Sequence, residues 1–177
     1  QILDEAGVVE GSHDYKEINS IFNSMPKEEL FLTSSEEIGR DVQAVLTSYG
    51  SDDVRVTLRD DPLRRGVSVM VILPKERFSG EVRKAIEEAF VQAFGGEILN
   101  YHLALSAGDQ ARLHFYVVSP PERLSSVSAA SLEPVVRELI RNWEDRVREG
   151  LEEHVSGDLA RRMARHYAHA CSPEYRV

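Results

Sequence analysis

Cysteine, aromatic residues and long apolar runs are all scarce in this sequence. Cys171 is the single cysteine among 177 residues, so no disulfide can form within the chain, which suits a reducing compartment. Aromatic residues make up 7%. The apolar runs are only a few residues long, far short of the roughly 20 that a transmembrane helix needs, and no secretory signal is visible. We therefore expect a cytoplasmic protein that does not contact a membrane.

Positive charge is in short supply as well. The sequence has 21 Lys and Arg against 30 Asp and Glu, a formal net charge of -9. Residues 1–119 carry most of this excess, with 12 basic and 20 acidic side chains. Nonspecific binding to nucleic acid depends on basic side chains that neutralise phosphates. We therefore expect no nucleic-acid partner.

The short motifs of well-known catalytic and nucleotide sites are missing too. The sequence contains no G-x-G-x-x-G, no P-loop, no G-x-S-x-G and no H-E-x-x-H. Gly95 and Gly96 follow a helix pattern, where they fit a C-cap better than a phosphate loop. His102 and His114 are predicted on opposite faces of a sheet, with no third ligand in view. We expect no catalytic residue, no metal and no cofactor in this segment.

Three amphipathic helix patterns stand out in the first hundred residues. The first begins near Asp14 and ends at Pro26. The second begins at a capping box of Ser34 with Glu37 and stops at Gly50, which takes a positive φ without penalty. The third runs over Ser79–Phe94, with Ser79 as N-cap.

Four strand-like runs surround the third helix. Val54–Arg59 alternates, with Val54, Val56 and Leu58 in and Arg55, Thr57 and Arg59 out, as an edge strand with one wet face does. Val67–Leu73 is apolar on both faces and is predicted to lie centrally. Glu97–Ser106 and Ala111–Val118 complete the set. The predicted order across the sheet is Glu97–Ser106, Ala111–Val118, Val67–Leu73, Val54–Arg59.

The element order is helix, strand, strand, helix, strand, strand. A ferredoxin-like unit permuted by one strand has this order. The predicted fold class is therefore α+β, with a four-stranded antiparallel sheet (αββαββ), helices on one of its faces, and α-helices after it. By position the chain divides into a lead-in and helix (1–33), the α+β domain (34–119), a linker (120–131) and the start of a helical region (132–177).

The turn at 107–110 sets the predicted register of the last two strands. It pairs Ser106 with Ala111, His102 with Phe115, and Leu103 with His114. One sheet face is then apolar without a helix to cover it, and the predicted interface residues are Leu99, Tyr101, Leu103, Leu105 and Tyr116. Trp143 joins them from the apolar stripe of a C-terminal helix predicted from Ser131 to Gly157. C-terminal helices, a neighbouring domain or a second copy of the chain are the candidate partners.

A charged turn offers the one candidate ligand site. Asp60, Asp61, Arg64 and Arg65 lie between two strands. Arg binds a carboxylate bidentately and Asp binds an ammonium group, so the turn suits a zwitterion such as an amino acid. A plain charged turn explains the same residues equally well.

Several segments resemble one family in collinear order over nearly the whole chain. The family is that of the large bacterial NAD-specific glutamate dehydrogenases, in its N-terminal regulatory part. The similar segments are residues 11–16, 29–34, 67–71, 73–78, 88–97, 112–115, 143–146, 160–167 and 172–176. Because the chain begins with Gln1 and ends without a stop signal, we expect a piece of a larger protein.

The resemblance implies an ACT-like domain followed by the start of a helical region, upstream of a catalytic domain. It implies a cytoplasmic homo-oligomeric parent that converts L-glutamate to 2-oxoglutarate with NAD, while none of these residues matches the family's catalytic lysine or nucleotide fingerprint. Two hypotheses follow. The segment is either an amino-acid-binding allosteric sensor or a module that docks domains or subunits. A stand-alone enzyme is a distant third.

Overall fold

The computed structural model divides the chain into two compact units, with the boundary between Leu139 and Ile140. It describes residues 12–62, 65–105, 109–142, 145, 149–151 and 157–170. Two predicted site residues, Arg64 and Trp143, lie outside the described residues, as do residues 107 and 108 of the turn at 107–110 and the tail at 171–177.

Three helices open the first unit. Helix α1 spans His13–Asn23 and is capped by Ser12, whose hydroxyl accepts a hydrogen bond from the Tyr15 amide. Helix α2 spans Lys27–Leu32 and follows Pro26. Helix α3 spans Ser35–Thr47 and begins with the predicted capping box of Ser34 and Glu37. The sequence indicated α1 and α3, whereas α2 was not predicted, because it is short and buries no residue.

The sheet has four antiparallel strands. They are β1 Arg55–Asp60, β2 Gly66–Pro74, β3 Glu97–Leu105 and β4 Gln110–Val118, in the order β1-β2-β4-β3. A 3-10 turn at Lys75–Arg77 and helix α4, Gly80–Phe94, connect β2 to β3. The predicted fold class and strand order are confirmed. Ser79 caps α4, and Gly95 ends it with a φ of 61°.

Helices lie on both faces of the sheet rather than on one. On β2, Met70 and Ile72 join the buried cluster formed by α1 and α3. On the other face, Phe90 of α4 packs edge-on against Phe115 of β4, with ring centroids 5.4 Å apart. Since Phe115 pairs with Val69, it points away from Met70. The N-terminal helices α1 and α3 therefore cover the sheet face for which the sequence analysis predicted no covering helix.

The predicted register of β3 with β4 is wrong by one residue. In the structure His102 pairs with His114, Leu103 with Leu113, and Leu105 with Ala111. The ladder shifts between Ile98 and Asn100, where Leu99 forms a bulge. A slip of one residue moves side chains to the other face. His102 and His114 therefore share one face, with ring centroids 6.3 Å apart.

The predicted grouping of interface residues on one face is wrong for the same reason. Tyr101 lies on the α4 face, where its ring is 6.5 Å from that of Phe115 and 4.6 Å from the guanidinium of Arg83. Leu103 and Leu105 follow on that face. Tyr116 pairs with Ser68 and Asn100 on the opposite face.

The prediction of a wet face for β1 is also wrong. Arg59 and Thr57 lie on the face that α2 and α3 cover. Thr57 donates a hydrogen bond of 2.9 Å to Asp41 of α3. The Arg59 side chain is only 10% exposed.

Further helices follow the sheet. In the first unit these are α5, Pro121–Leu124, and α6, Ala129–Leu139. Helix α6 begins earlier than predicted, because Ser128 and Ser131 exchange side-chain to amide hydrogen bonds at its start. It ends at Leu139, so the prediction of one helix from Ser131 to Gly157 is wrong. In the second unit helix α7 spans Gly157–Ala170. None of the helices in the described ranges is long and apolar enough to cross a membrane.

Candidate functional site

A cavity of about 360 Å³ lies between α2, the end of β1 and the β3–β4 face of the sheet. We call it the α2 cavity. Its lining residues come from α2 and its flanks, from the β1–β2 connection, and from strands β2, β3 and β4: Pro26, Glu28, Glu29, Leu32, Thr33, Glu37, Arg59, Asp60, Asp61, Pro62, Arg65, Ser68, Leu99, Asn100, Tyr101, His102, His114, Tyr116 and Val118. Its size is in the range of small-molecule pockets.

Arg59 fastens the α2 wall of the cavity to the sheet. Its Nε lies 2.7 Å from Oδ2 of Asp41, whose side chain is 3% exposed. Its terminal amino groups bind the Glu29 carboxylate and the Thr33 hydroxyl at the end of α2. Burial raises the pKa of Asp41, although Arg59 and the Thr57 hydrogen bond oppose this shift. One guanidinium thus holds two largely buried carboxylates from different helices.

Glu29 faces His114 across the cavity wall. His114 is 2% exposed, and its Nδ1 lies 3.7 Å from Oε2 of Glu29, so the contact is electrostatic rather than a hydrogen bond. The pKa of Glu29 is lower than its ordinary value of 4.5. Burial acts to raise this pKa, but His114 and Arg59 together outweigh it. Glu29 therefore stays ionised next to a buried imidazole.

Asp61 forms a second polar centre at the end of β1. Its carboxylate accepts hydrogen bonds from the backbone amide of Arg65 at 3.2 Å and from Nε of Arg65 at 2.9 Å. The pKa of Tyr116 is raised by burial and by the neighbouring Asp61, against the effect of Arg65. The buried Asp61 side chain is thus held between a solvent-exposed guanidinium and a phenol.

Several predicted site residues line this one cavity. The predicted ligand residues Asp60, Asp61 and Arg65 do so, together with Leu99, Tyr101 and Tyr116 from the predicted interface. Leu103 and Leu105 of the same predicted interface do not line it.

Sequence reasoning missed the residues on the opposite wall. Glu29 belongs to the short helix that carried no apolar stripe, and Arg59 was assigned to a solvent face. His102 and His114 were placed on opposite faces. The signal that was available is the pair Glu28-Glu29 after Pro26, which is typical of an N-terminal helix turn.

The cavity is richer in hydrogen-bond acceptors than in free cations. Its lining includes five carboxylates, from Glu28, Glu29, Glu37, Asp60 and Asp61, but two guanidinium groups, which both form ion pairs within it. Within the described ranges, no group of three His, Cys, Asp or Glu side chains is placed to hold a metal ion. The arrangement is suited to binding a polar ligand.

Two family models match different parts of the chain, and residues from both parts line the α2 cavity. Residues 55–144 match the family model "Glutamate dehydrogenase, ACT2 domain". Residues 1–50 match "Glutamate dehydrogenase, helical motif 1". The chain belongs to the glutamate dehydrogenase family. The α2 cavity therefore lies between the helical motif and the ACT2 domain, and the resemblance seen in the sequence is confirmed.

Individual relatives agree with this assignment. The chain is 27% identical over 177 residues to an NAD-specific glutamate dehydrogenase of Mycobacterium tuberculosis, covering 93% of this chain and 11% of that protein. It is 26% identical over 144 residues to the protein of the same name from Halomonas elongata, covering 81% and 9%. The Pseudomonas aeruginosa counterpart is 23% identical over 145 residues, covering 82% and 9%. The chain thus spans 9–11% of the length of these relatives.

Proposed function

We propose that this segment is a non-catalytic regulatory and assembly part of an NAD-dependent glutamate dehydrogenase. In the parent protein, L-glutamate and NAD are converted to 2-oxoglutarate, ammonium and NADH, with NAD bound outside this segment. The observation that carries the proposal is the match of residues 1–50 and 55–144 to a helical motif and an ACT2 domain of this family. The missing catalytic motifs support it, and the lone cysteine fits a cytoplasmic location.

Strand β3 supports the assembly role. It is an edge strand of nine residues, so its outer backbone groups have no partner strand within this sheet. Leu99 is 60% exposed, Tyr101 47% and Leu105 52%. Antiparallel pairing of β3 with β3 of a second copy would satisfy the backbone and cover these side chains around a two-fold axis.

Sedimentation velocity over a range of concentrations tests the assembly role. We expect the 177-residue chain to self-associate, and Leu105→Lys to shift the equilibrium towards monomer. Val135→Lys on α6 is the matched control, because Val135 is similarly exposed but lies on a helix. A chain that stays monomeric at all concentrations, or two variants that behave alike, would contradict pairing through β3.

The α2 cavity favours a second function, that of an amino-acid sensor. Four of its lining residues, Asp60, Asp61, Arg65 and Tyr116, combine acidic, basic and phenolic groups suited to a zwitterion. A ligand that binds only the native state raises the unfolding midpoint as its concentration rises. A thermal-shift screen with the proteinogenic amino acids, 2-oxoglutarate and NAD tests this. A selective shift by one amino acid supports the sensor, and a flat screen favours assembly alone.

A further inference from the structure

Helix α2 is held to the sheet by few contacts, and one of them involves a histidine. The helix buries none of its six residues fully: Leu30 is half-buried and Phe31 is 88% exposed. Arg59 binds the Glu29 carboxylate, and His114 of β4 faces the same oxygen, Oε2, from 3.7 Å. Arginine keeps its charge at all ordinary pH values, whereas histidine is the side chain that changes charge between about pH 5 and 8. Of these two Glu29 contacts, only the one with His114 therefore responds to pH near neutrality.

The charged and titratable groups that face His114 come from both helices and strands. They are Glu29 on α2, Asp41 on α3, Arg59 on β1, His102 on β3, and Arg112 and Tyr116 two residues to either side on the same face of β4. The β2 residue that pairs with His114 is the uncharged Met70. The charge of Arg112 acts on Tyr49.

The two carboxylates decide which form of His114 is favoured. Burial is the largest influence on the pKa of Glu29 and of Asp41 and raises it in each case, while the positive charge of His114 acts to lower both. Because this influence is mutual, the ionised carboxylates favour the protonated form of His114. Arg59 opposes them with one positive charge, which it shares between both.

A change in this contact reaches the cavity through α2. His114 lies on β4, a central strand of the sheet, so it is the fixed partner of the pair. Glu29 belongs to the short helix, which also contributes Glu28 and Leu32 to the cavity lining. Displacement of α2 would therefore open one wall of the cavity.

We propose that α2 is a pH-sensitive latch on the α2 cavity. Protonated His114 holds Glu29, and with it α2, against the sheet, and loss of this proton lets the helix open more often. Since Glu29 is near His114 only when α2 is closed, the closed state binds the proton more tightly, and a rise in pH favours opening. The inference rests on the proposed sensor function and adds to it a regulation of the same cavity.

Amide hydrogen exchange of the 177-residue chain without any ligand tests the latch at about pH 5.5 and about pH 8. The reporters are the amides of Glu29 and Leu30, which donate to the Pro26 carbonyl at 3.1 and 3.2 Å. Their protection factors, in which the intrinsic pH dependence of exchange cancels, should fall at least about threefold at the higher pH. The fall reaches about tenfold if Glu29 shifts proton binding by one pH unit.

The amides of α4, on the other face of the sheet, are the internal reference and should keep their protection. Constant protection of Glu29 and Leu30 at the two pH values overturns the latch. So does a fall that α4 shares to the same extent, because that result shows a change in the whole fold.

Three variants assign the effect to one histidine. His114→Gln stays neutral, so the protection of α2 should become equal at the two pH values. His102→Gln is the matched control, since His102 is exposed and pairs with His114, and it should keep the full pH dependence. If His114→Gln does not fold, Glu29→Gln decides, because removing the carboxylate should also abolish the pH dependence. A pH dependence that survives in Glu29→Gln, or disappears in His102→Gln, overturns the latch.

The latch and the sensor fail separately. The exchange experiment contains no ligand, so a negative result removes the latch and leaves the sensor function to the thermal-shift screen. A flat thermal-shift screen removes the sensor function, whereas the pH dependence of α2 exchange stands or falls by its own measurement.

Discussion

Nδ1 of His114 lies 3.7 Å from Oε2 of Glu29, and this contact joins the centre of the sheet to a helix of only six residues. Helix α2 buries none of its residues fully, although its Leu30 packs half-buried against the cluster formed by α1 and α3. Polar contacts add to this: Glu29 meets His114 and Arg59, and the Thr33 hydroxyl accepts a hydrogen bond from Arg59. The wall of the cavity is therefore held in part by polar contacts, and it is sensitive to charge.

Glu29→Gln should make the protein less stable at neutral pH but not in acid. Since the folded-state pKa of Glu29 lies below 4.5, its ionised form stabilises the fold above that pH, and this contribution is lost as the pH falls through the folded-state pKa. We expect the variant to lose about 1–3 kcal/mol of unfolding free energy at pH 7. The difference from the unmodified chain should shrink as the pH drops below 4.5 in urea denaturation experiments.

The pKa of Asp41 is raised by burial, so Asp41 affects the pH dependence of the unfolding free energy with the opposite sign. This contribution is present in both the Glu29→Gln variant and the unmodified chain. Glu28→Gln is the control, since Glu28 is exposed, and it should change stability by less than about 0.5 kcal/mol at any pH. A loss of stability in Glu29→Gln that is the same at all pH values would contradict the ionic account of this residue.

Arg59→Leu should be among the most damaging substitutions on β1. It leaves the Asp41 and Glu29 carboxylates largely buried without their guanidinium, and breaking a buried ion pair costs about 3–5 kcal/mol. Arg55→Leu is the control on the same strand and the same face, but at an exposed position, and should cost about 0.5 kcal/mol or less. Equal effects of the two variants in chemical denaturation would show that the Arg59 contacts are not important for stability.

Gly96 should not tolerate alanine. A Cβ at Gly96 would lie 1.8 Å from the carbonyl oxygen of Val118, a backbone atom in a strand pairing that cannot move cheaply. We expect Gly96→Ala to cost about 2 kcal/mol or more. Gly80→Ala, where a Cβ meets nothing within 4 Å, should be neutral or stabilising by up to about 1 kcal/mol. Thermal unfolding that ranks the two variants in the reverse order would refute this packing.

The local elements and the strand order were predictable from the sequence, because their signals lie in neighbouring residues. Ser34 with Glu37, and Ser79 before α4, mark helix starts that the structure confirms. Apolar and polar residues alternate in Val54–Arg59, whereas Val67–Leu73 is apolar throughout. This difference correctly predicted that the first strand lies at the edge of the sheet and the second in its centre. Gly95 ended α4 as its position after the apolar stripe indicated.

The cavity itself was only half predictable. Asp60, Asp61 and Arg65 lie together in the sequence, whereas Glu29, Arg59 and His114 meet only through the tertiary fold. The bulge at Leu99 has no glycine or other local signal, yet it changes which residues share a face and brings His102 beside His114. Alternation showed which side of β1 Arg59 occupies, but not that α2 and α3 cover that side.

The most direct test of a ligand site in the α2 cavity is nuclear magnetic resonance of the histidine side chains. With 15N-labelled imidazoles, the 177-residue chain is titrated with the amino acid that gives the largest thermal shift, or with each amino acid in turn if none does. We predict saturable changes for His114 and His102, which line the cavity, and none for the exposed His166 of the second unit. If His114 and His102 keep their resonance positions at every amino-acid concentration, the cavity is not a ligand site.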